Sequence, residues 1–327
     1  MRRRYTGTRL PPFDWAFRPE SDRDDLGITV HDDAKPTVST GCEIHADAAG
    51  HARLGDGRKV YTLVFPVTTT ASAPSHGPID PAAHHQPHLG SRRAGAVDLL
   101  LGHKLRGFGA GGSNGFGGKV EPALDRADDA LGTIRNAAVR ELREECGLDQ
   151  PTIDAASSSS CSSSISGDGS ALDLCGTVDI SVDQGERIRI FVFLDRVPAS
   201  LASSIIATDE MLPRWYRLAL PAATSCPATV IAPSAAEATA HATATTVTTT
   251  PSETIPLDAD REPFSRMRPE ACLFLALVLD RHAERPAAGS QTNAPAPRRQ
   301  LFEVDVRYHR EEAGDMSRKI AAWSVLV

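Results

Sequence analysis

Three glutamates, Glu141, Glu144 and Glu145, stand at i, i+3 and i+4 in the run Arg140-Glu141-Leu142-Arg143-Glu144-Glu145-Cys146-Gly147-Leu148. On a helix this spacing brings all three carboxylates to one face. Side by side they repel, and a divalent cation relieves that repulsion. Hard oxygen donors suit Mg²⁺, with Mn²⁺ as the other candidate, and Mg²⁺ typically links one or two carboxylates to substrate phosphates. In isolation the same pattern also describes a solvated acidic face partnered by Arg140 and Arg143. The context favours chemistry: a glycine-dense stretch precedes the run and Gly147 stops it.

That stretch, Gly107-Phe108-Gly109-Ala110-Gly111-Gly112-Ser113-Asn114-Gly115-Phe116-Gly117-Gly118, lets backbone N–H groups approach a phosphate or a base closely. Lys119 follows it and can neutralise phosphate charge. Gly107-x-Gly109-x-x-Gly112 matches a dinucleotide-binding fingerprint in letters only, because the crossover unit and the acidic partner are missing. Gly118-Lys119 is not a P-loop, since Ser113 and Val120 occupy the positions of the first glycine and the final Ser/Thr. His84-His85-x-x-His88 has metal-like spacing but lies in a Pro/Ala-rich segment, which reads as a solvated loop.

The elements that must position these groups are legible in outline. The helix is expected from Thr133, as N-cap, to Cys146, with Gly147 just past its end. Tyr61 to Val67 and Ala96 to Leu101 read as strands able to pair with each other. Leu174 to Val182 and Arg187 to Leu194 read as two strands around a turn at Asp183-Gln184-Gly185. Glu270 to Arg281 reads as an amphipathic helix, and Phe302 to Tyr308 and Trp323 to Val327 as strands. Residues 1–57 are polar and weakly periodic, and are expected to be a poorly ordered extension, or one ordered only by docking. One α/β domain then spans 58–327, with disordered insertions near 68–95, 155–170, 222–260 and 284–298.

Composition narrows the function classes. The chain has 327 residues, 41% of them hydrophobic, which is enough for a core, and a net charge of -7, which provides no global basic field for nucleic acid. The six cysteines, Cys42, Cys146, Cys161, Cys175, Cys226 and Cys272, form no C-x-x-C pair and read as reduced thiols. No apolar run reaches the length of a membrane span, and the basic start lacks the apolar region of a signal peptide. A cytoplasmic protein is expected, with nuclear or mitochondrial placement as alternatives, and a monomer.

Loop and helix together resemble the Nudix family, whose signature is G-x5-E-x7-R-E-U-x-E-E-x-G-U, with U bulky and aliphatic. Arg140-Glu141-Leu142-x-Glu144-Glu145-x-Gly147-Leu148 fits the second half completely. Within the family the chain is most similar to the eukaryotic MutT-type oxidised purine nucleoside triphosphate hydrolases, through Tyr61-Thr62-Leu63-Val64, Arg106 to Gly111, Asn114 to Val120, Thr208-Asp209-Glu210-Met211 with Trp215, and Pro263-Phe264. The resemblance implies an α/β/α sandwich with a mixed central sheet. It implies hydrolysis of 8-oxo-dGTP or 2-hydroxy-dATP by water to monophosphate and pyrophosphate, sanitising the nucleotide pool. It further implies Mg²⁺ on Glu141, Glu144 and Glu145, a catalytic contribution from Glu210, and Arg140 orienting the glutamates. Thr62, Lys104, Asn114, Phe116, Gly117, Gly118, Lys119, Arg268 and Glu270 match substrate-binding positions, with Asn114 bonding a base edge and Phe116 offering it a ring. The other readings are a Nudix pyrophosphohydrolase of different nucleotide specificity and a non-catalytic Nudix-like binding module.

Two departures stand out. Gly132 occupies the position of the glutamate that braces the arginine, after an insertion at Ala123 to Leu131; Glu121, Asp125, Asp128 and Asp129 are the carboxylates available to replace it. In Met267-Arg268-Pro269-Glu270-Ala271 the family has tryptophan at Arg268 and aspartates at Glu270 and Ala271. A polar site with fewer partners for a base edge discriminates less strongly.

Overall fold

The computed structural model describes residues 2–32, 43–68, 95–107, 109–147, 172–182, 185, 187–197, 204–220, 254–257, 261–283, 300–309 and 320–327. The histidine cluster, the serine run and most of the four expected insertions lie outside these residues, as do Phe108 and Leu148.

The described strands are β1 (Arg4–Gly7), β2 (Thr29–His31), β3 (Ile44–Ala46), β4 (Ala52–Leu54), β5 (Lys59–Thr68), β6 (Gly95–Lys104), β7 (Ser113–Asn114), β8 (Leu172–Val182), β9 (Arg187–Arg196), β10 (Met211–Leu220), β11 (Thr254–Ile255), β12 (Phe302–Tyr308) and β13 (Ile320–Leu326). The helices are α1 (Ala130–Cys146) and α2 (Ala271–Ala283), with short 3-10 turns beside them. The strands form one mixed sheet in the order β11-β10-β6-β5-β9-β8-β12-β13-β1-β2, with β4 also joined to β5, β3 to β4 and β7 to β6. β5 runs parallel to β9 and β8 parallel to β12, whereas β8–β9 and β6–β10 are antiparallel.

Each face of the sheet buries one helix. Ile134, Ala137, Ala138, Leu142 and Cys146 of α1 pack on Val60, Val64, Leu100 and Phe193. On the other face, Leu273, Leu275, Ala276, Val278 and Leu279 of α2 meet Phe65, Val67, Val178 and Val192. This is the α/β/α sandwich expected from the sequence. Period-2 alternation accounts for the division, since successive side chains of one strand feed opposite layers.

Of the two alternatives for the N-terminal residues, the described ones follow order by docking on the core: β1 pairs with β13, and Tyr5, Phe13, Trp15 and Ile28 are buried in the α2-side core. The indole Nε1 of Trp15 donates to the Cys272 carbonyl at 3.0 Å. For the same reason α2 is not amphipathic. Its run Ala271 to Leu279 is apolar nearly all round, and the N-terminal segment covers part of the face that would otherwise meet solvent. β10 was not legible as a strand, because Pro213 interrupts the pattern.

α1 starts at Ala130, a turn earlier than Thr133 suggests. Asp129 is the N-cap, accepting from the Gly132 N–H at 2.6 Å, while the Thr133 hydroxyl donates to the Asp129 carbonyl. Gly147 ends the helix with φ 72°, as expected of a C′ glycine.

Candidate active site

Among the described residues β5 and β6 pair at Val67–Leu99 and Thr68–Asp98, and splay apart toward Lys59 and Lys104. The glycine-rich segment fills the wedge. Thr62 and Val64 of β5 donate to the carbonyls of Gly118 and Phe116 at 2.9 and 2.7 Å, and β7 pairs with β6 at Gly102 and His103. Glycine is required where the segment passes closest. A Cβ at Gly117, whose φ is 155°, would overlap the Thr62 carbonyl, and one at Gly118 would stand 2.5 Å from Glu141 Oε1.

This packing binds loop to helix through side chains. The Gly117 N–H donates to Glu145 Oε2 at 2.8 Å. The Arg140 guanidinium donates to the Lys119 carbonyl at 3.0 Å, to Glu141 at 2.9 Å and to Glu144 at 3.3 Å. Its fork grips both oxygens of Asp125 at 2.8 and 3.2 Å. Asp125 is buried and also accepts from the Glu121 N–H at 2.7 Å. The inserted segment therefore supplies two anchors, Asp125 as partner of Arg140 and Asp129 as helix cap. Among the described residues, Asp125 is the one of the four carboxylates available to replace the one missing at Gly132 that pairs with Arg140. The Arg140 guanidinium is held charged by this partner, with Glu141 adding to the effect.

A second knot lies beside the first. Thr208 Oγ1 accepts from the N–H groups of Glu210 and Met211, a tight turn that sets Glu210 Oε1 3.0 Å from Lys104 Nζ. Lys104 Nζ also lies 3.8 Å from Glu145 Oε1. The carboxylates are thus compensated by cations of the chain itself, Glu141 and Glu144 by Arg140, Glu145 and Glu210 by Lys104. Among the described residues no group of three or more His, Cys, Asp or Glu side chains is arranged to hold a metal ion. Cation binding by Glu141, Glu144 and Glu145 together therefore takes side-chain rotation away from Arg140 and Lys104. In kind the donors fit a hard divalent cation, being carboxylate oxygens close enough to repel one another. Burial pushes the Glu145 carboxyl up to about 7, against the pull of the Gly117 N–H and Lys104 and with the help of Glu141 and Glu210. Glu141 is raised in the same way by burial, opposed by Arg140.

A pH dependence follows. In the folded protein Glu145 holds its proton up to about 7, whereas unfolded it releases it near the ordinary glutamate value of 4.5. The stability this carries is full below the unfolded value and is lost as pH rises through the folded one. A divalent cation must displace the proton. If Mg²⁺ binds at Glu145, the thermal shift it produces is therefore expected to be small at pH 5.5 and to grow through pH 7. Equal shifts at pH 5.5 and pH 8 would refute the link.

Beside these groups lies a cleft of about 1010 Å³, lined by Lys104, Lys119 and Glu210 but not by Glu141, Glu144 or Glu145. Of the residues singled out in the sequence, Thr62, Lys104, Asn114, Gly117, Gly118, Lys119, Glu210, Arg268 and Glu270 line it. Among the described residues the buried Thr62 hydroxyl has no hydrogen-bond partner, a state expected where a ligand or water completes the site. Phe116 is a correction: it pairs opposite Val64, so its ring points to the α1 face and is fully buried in that core. Arg268 Nε donates to Glu270 Oε1, and the hydroxyl of Tyr308 donates to Glu270 Oε2. Tyr308 was not singled out by the sequence. Its alternation along β12 marks it as buried, but nothing local announces its partner.

The described elements form an α/β fold around one mixed sheet. No family model matches the chain. In sequence it is 53% identical over 120 residues to an oxidized purine nucleoside triphosphate hydrolase from Danio rerio, covering 36% of this chain and 57% of that protein. It is 51% identical over 55 residues to the protein of the same name from Mus musculus, covering 17% and 30%. The chain thus spans little more than half the length of the first and less than a third of the second. Solved structures that it overlaps include a MutT/nudix family protein from Enterococcus faecalis, at TM-score 0.30, 11% identity and 49% and 44% coverage. Another is a NUDIX hydrolase from Alicyclobacillus acidocaldarius, at TM-score 0.30, 14% identity and 48% and 78% coverage. Among the described residues no helix is long and apolar enough to cross a membrane. Cys146, Cys175 and Cys272 are buried.

Proposed function

We propose that the chain hydrolyses purine nucleoside triphosphates carrying an oxidised base, such as 8-oxo-dGTP or 2-hydroxy-dATP, to the monophosphate and pyrophosphate. The observation that carries the reading is one cleft that combines acidic and cationic groups with an unsatisfied buried hydroxyl. Glu210, Lys104 and Lys119 line the same space as Asn114 and the orphaned Thr62 hydroxyl. Glu141, Glu144 and Glu145 are the residues that would hold Mg²⁺ or Mn²⁺. Bound there, the metal supplies polarisation of phosphoryl oxygens and activation of water.

The chain's own residues do the rest. Lys104 and Lys119 offset phosphate charge. Glu210, three-eighths exposed beside Lys104, is the carboxylate available to take a proton from attacking water. Arg140 keeps Glu141 and Glu144 oriented and does not line the cleft. Asn114 bonds a base edge with its amide. Pyrophosphate release from 8-oxo-dGTP, 2-hydroxy-dATP and dGTP, with Mg²⁺ and with chelator, tests the reading. A higher kcat/KM for at least one oxidised purine than for dGTP, and no turnover with chelator, are expected. No preference for either oxidised purine would eliminate the sanitising role. A Nudix-type hydrolase of different base specificity is the second reading, favoured by the enclosure of Glu270.

A further inference from the structure

The C-terminal end of α1 meets the turn that leads into β10. The last C=O groups of a helix have no partner inside it. Here the Cys146 carbonyl accepts from the Ile206 N–H at 3.1 Å, and the Glu145 carbonyl accepts from the Thr208 hydroxyl at 3.4 Å. The same hydroxyl accepts from the N–H groups of Glu210 and Met211, at 3.3 and 3.1 Å. A hydroxyl has one proton to give and two lone pairs, so each capacity of Thr208 is used. The Ile206 side chain lies against Gly147, where an added Cβ would stand 2.2 Å from it. From the other side, the Leu105 N–H donates to the Glu210 carbonyl at 2.8 Å, and Met211 pairs with Lys104 across β6 and β10.

We propose that Thr208 is a positioning residue: its hydroxyl ties the backbone of Glu145 to that of Glu210 and so fixes the Glu210 carboxylate relative to those of the acidic helix. The inference rests on the reading of Glu210 as the carboxylate that takes a proton from attacking water. Lys104, 3.0 Å from Glu210 and 3.8 Å from Glu145, does not set this distance by itself. Its ammonium sits on a flexible four-carbon stem and follows its partners when they move. The Thr208 bonds are short-range and end on backbone atoms, so they hold the two main chains. Thr208 does not line the cleft. Its effect therefore falls on the chemical step rather than on nucleotide binding, where a misplacement of about 1 Å costs about 10²-fold.

Thr208→Val keeps the β-branched shape and removes all three bonds, Thr208→Ala removes them with less bulk should valine crowd the turn, and Thr208→Ser keeps the hydroxyl. Two readouts on the full chain need neither nucleotide nor metal: hydrogen exchange at the Glu210 and Met211 amides, and the rate at which acetic anhydride modifies Lys104, both followed by mass spectrometry. Without the hydroxyl the two amides are expected to exchange about tenfold faster. Lys104 is expected to react about threefold faster as Glu210 moves off it. Pyrophosphate release should lose about 10²-fold in kcat with KM held within about threefold. Thr208→Ser is expected to stay within about threefold of the unmodified protein in every readout, a rescue that a merely structural role would not tie to kcat alone. Unchanged exchange and labelling without the hydroxyl, a kcat unmoved despite faster exchange, or a loss confined to KM overturns the inference. No pyrophosphate release from any triphosphate by the unmodified protein would defeat the hydrolytic reading. Exchange and labelling then decide alone: a rise absent in Thr208→Ser upholds the tie, and no rise overturns it.

Discussion

Glu145→Gln is expected to lower pyrophosphate release by about three orders of magnitude while the protein stays folded. A bound cation contributes several kcal/mol to charge stabilisation in a transition state, and each 1.36 kcal/mol is a factor of ten. Glutamine is close in shape, and its amide oxygen can still accept from the Gly117 N–H that now meets Glu145 at 2.8 Å. What it removes is the negative charge, 3.8 Å from Lys104, that a divalent cation would use. The fold should not suffer, since burial already disfavours charge at this position and pushes the carboxyl up to about 7. Steady-state turnover, a Mg²⁺ titration and a urea melt on the same preparation separate the two effects. Unchanged turnover would remove Glu145 from the reaction, and a large loss of stability would make it a structural residue instead.

Asp125→Ala is expected to destabilise the protein by about 3 kcal/mol, the low end for breaking a buried ion pair. The low end applies because the Arg140 side chain is 19% exposed whereas that of Asp125 is 1% exposed. The substitution removes a two-point grip on Arg140 and also leaves the Glu121 N–H without its acceptor. Arg140 should then lean further onto Glu141 and Glu144, so cation affinity is expected to fall with stability. The double variant Asp125→Ala/Arg140→Met isolates the coupling. If the four proteins of this cycle show additive losses in urea unfolding, the pair is not the brace of the loop–helix junction.

Much of the fold could be read along the chain because the signals were periodic and local. The alternation of Phe302 to Tyr308 and the i, i+3, i+4 pattern of α1 each depend on neighbours within a few residues. Where long-range partners decide, reading failed. Residues 2–32 have weak periodicity because their apolar residues are few and spaced apart, yet Tyr5, Trp15 and Ile28 find burial against α2 and β13. α2 looked two-sided only while that cover was unknown. Phe116 was placed beside a base through resemblance, and the pairing register with Val64 turned its ring into the core.

The acidic helix, the glycine stretch before it and the lysine after it were determined by the sequence alone, since residue type and spacing set which groups can share a face or allow a close approach. The tertiary structure decided how those groups are braced and compensated. It selected Asp125 among four carboxylates, sealed Glu270 with Arg268 and Tyr308, and set Lys104 between Glu145 and Glu210. The reason is physical: an ion pair or hydrogen bond between residues 15 or 38 positions apart, as Asp125–Arg140 and Glu270–Tyr308 are, exists only once the intervening chain has folded, and charge at a buried site is settled by whichever partner the packing brings within reach.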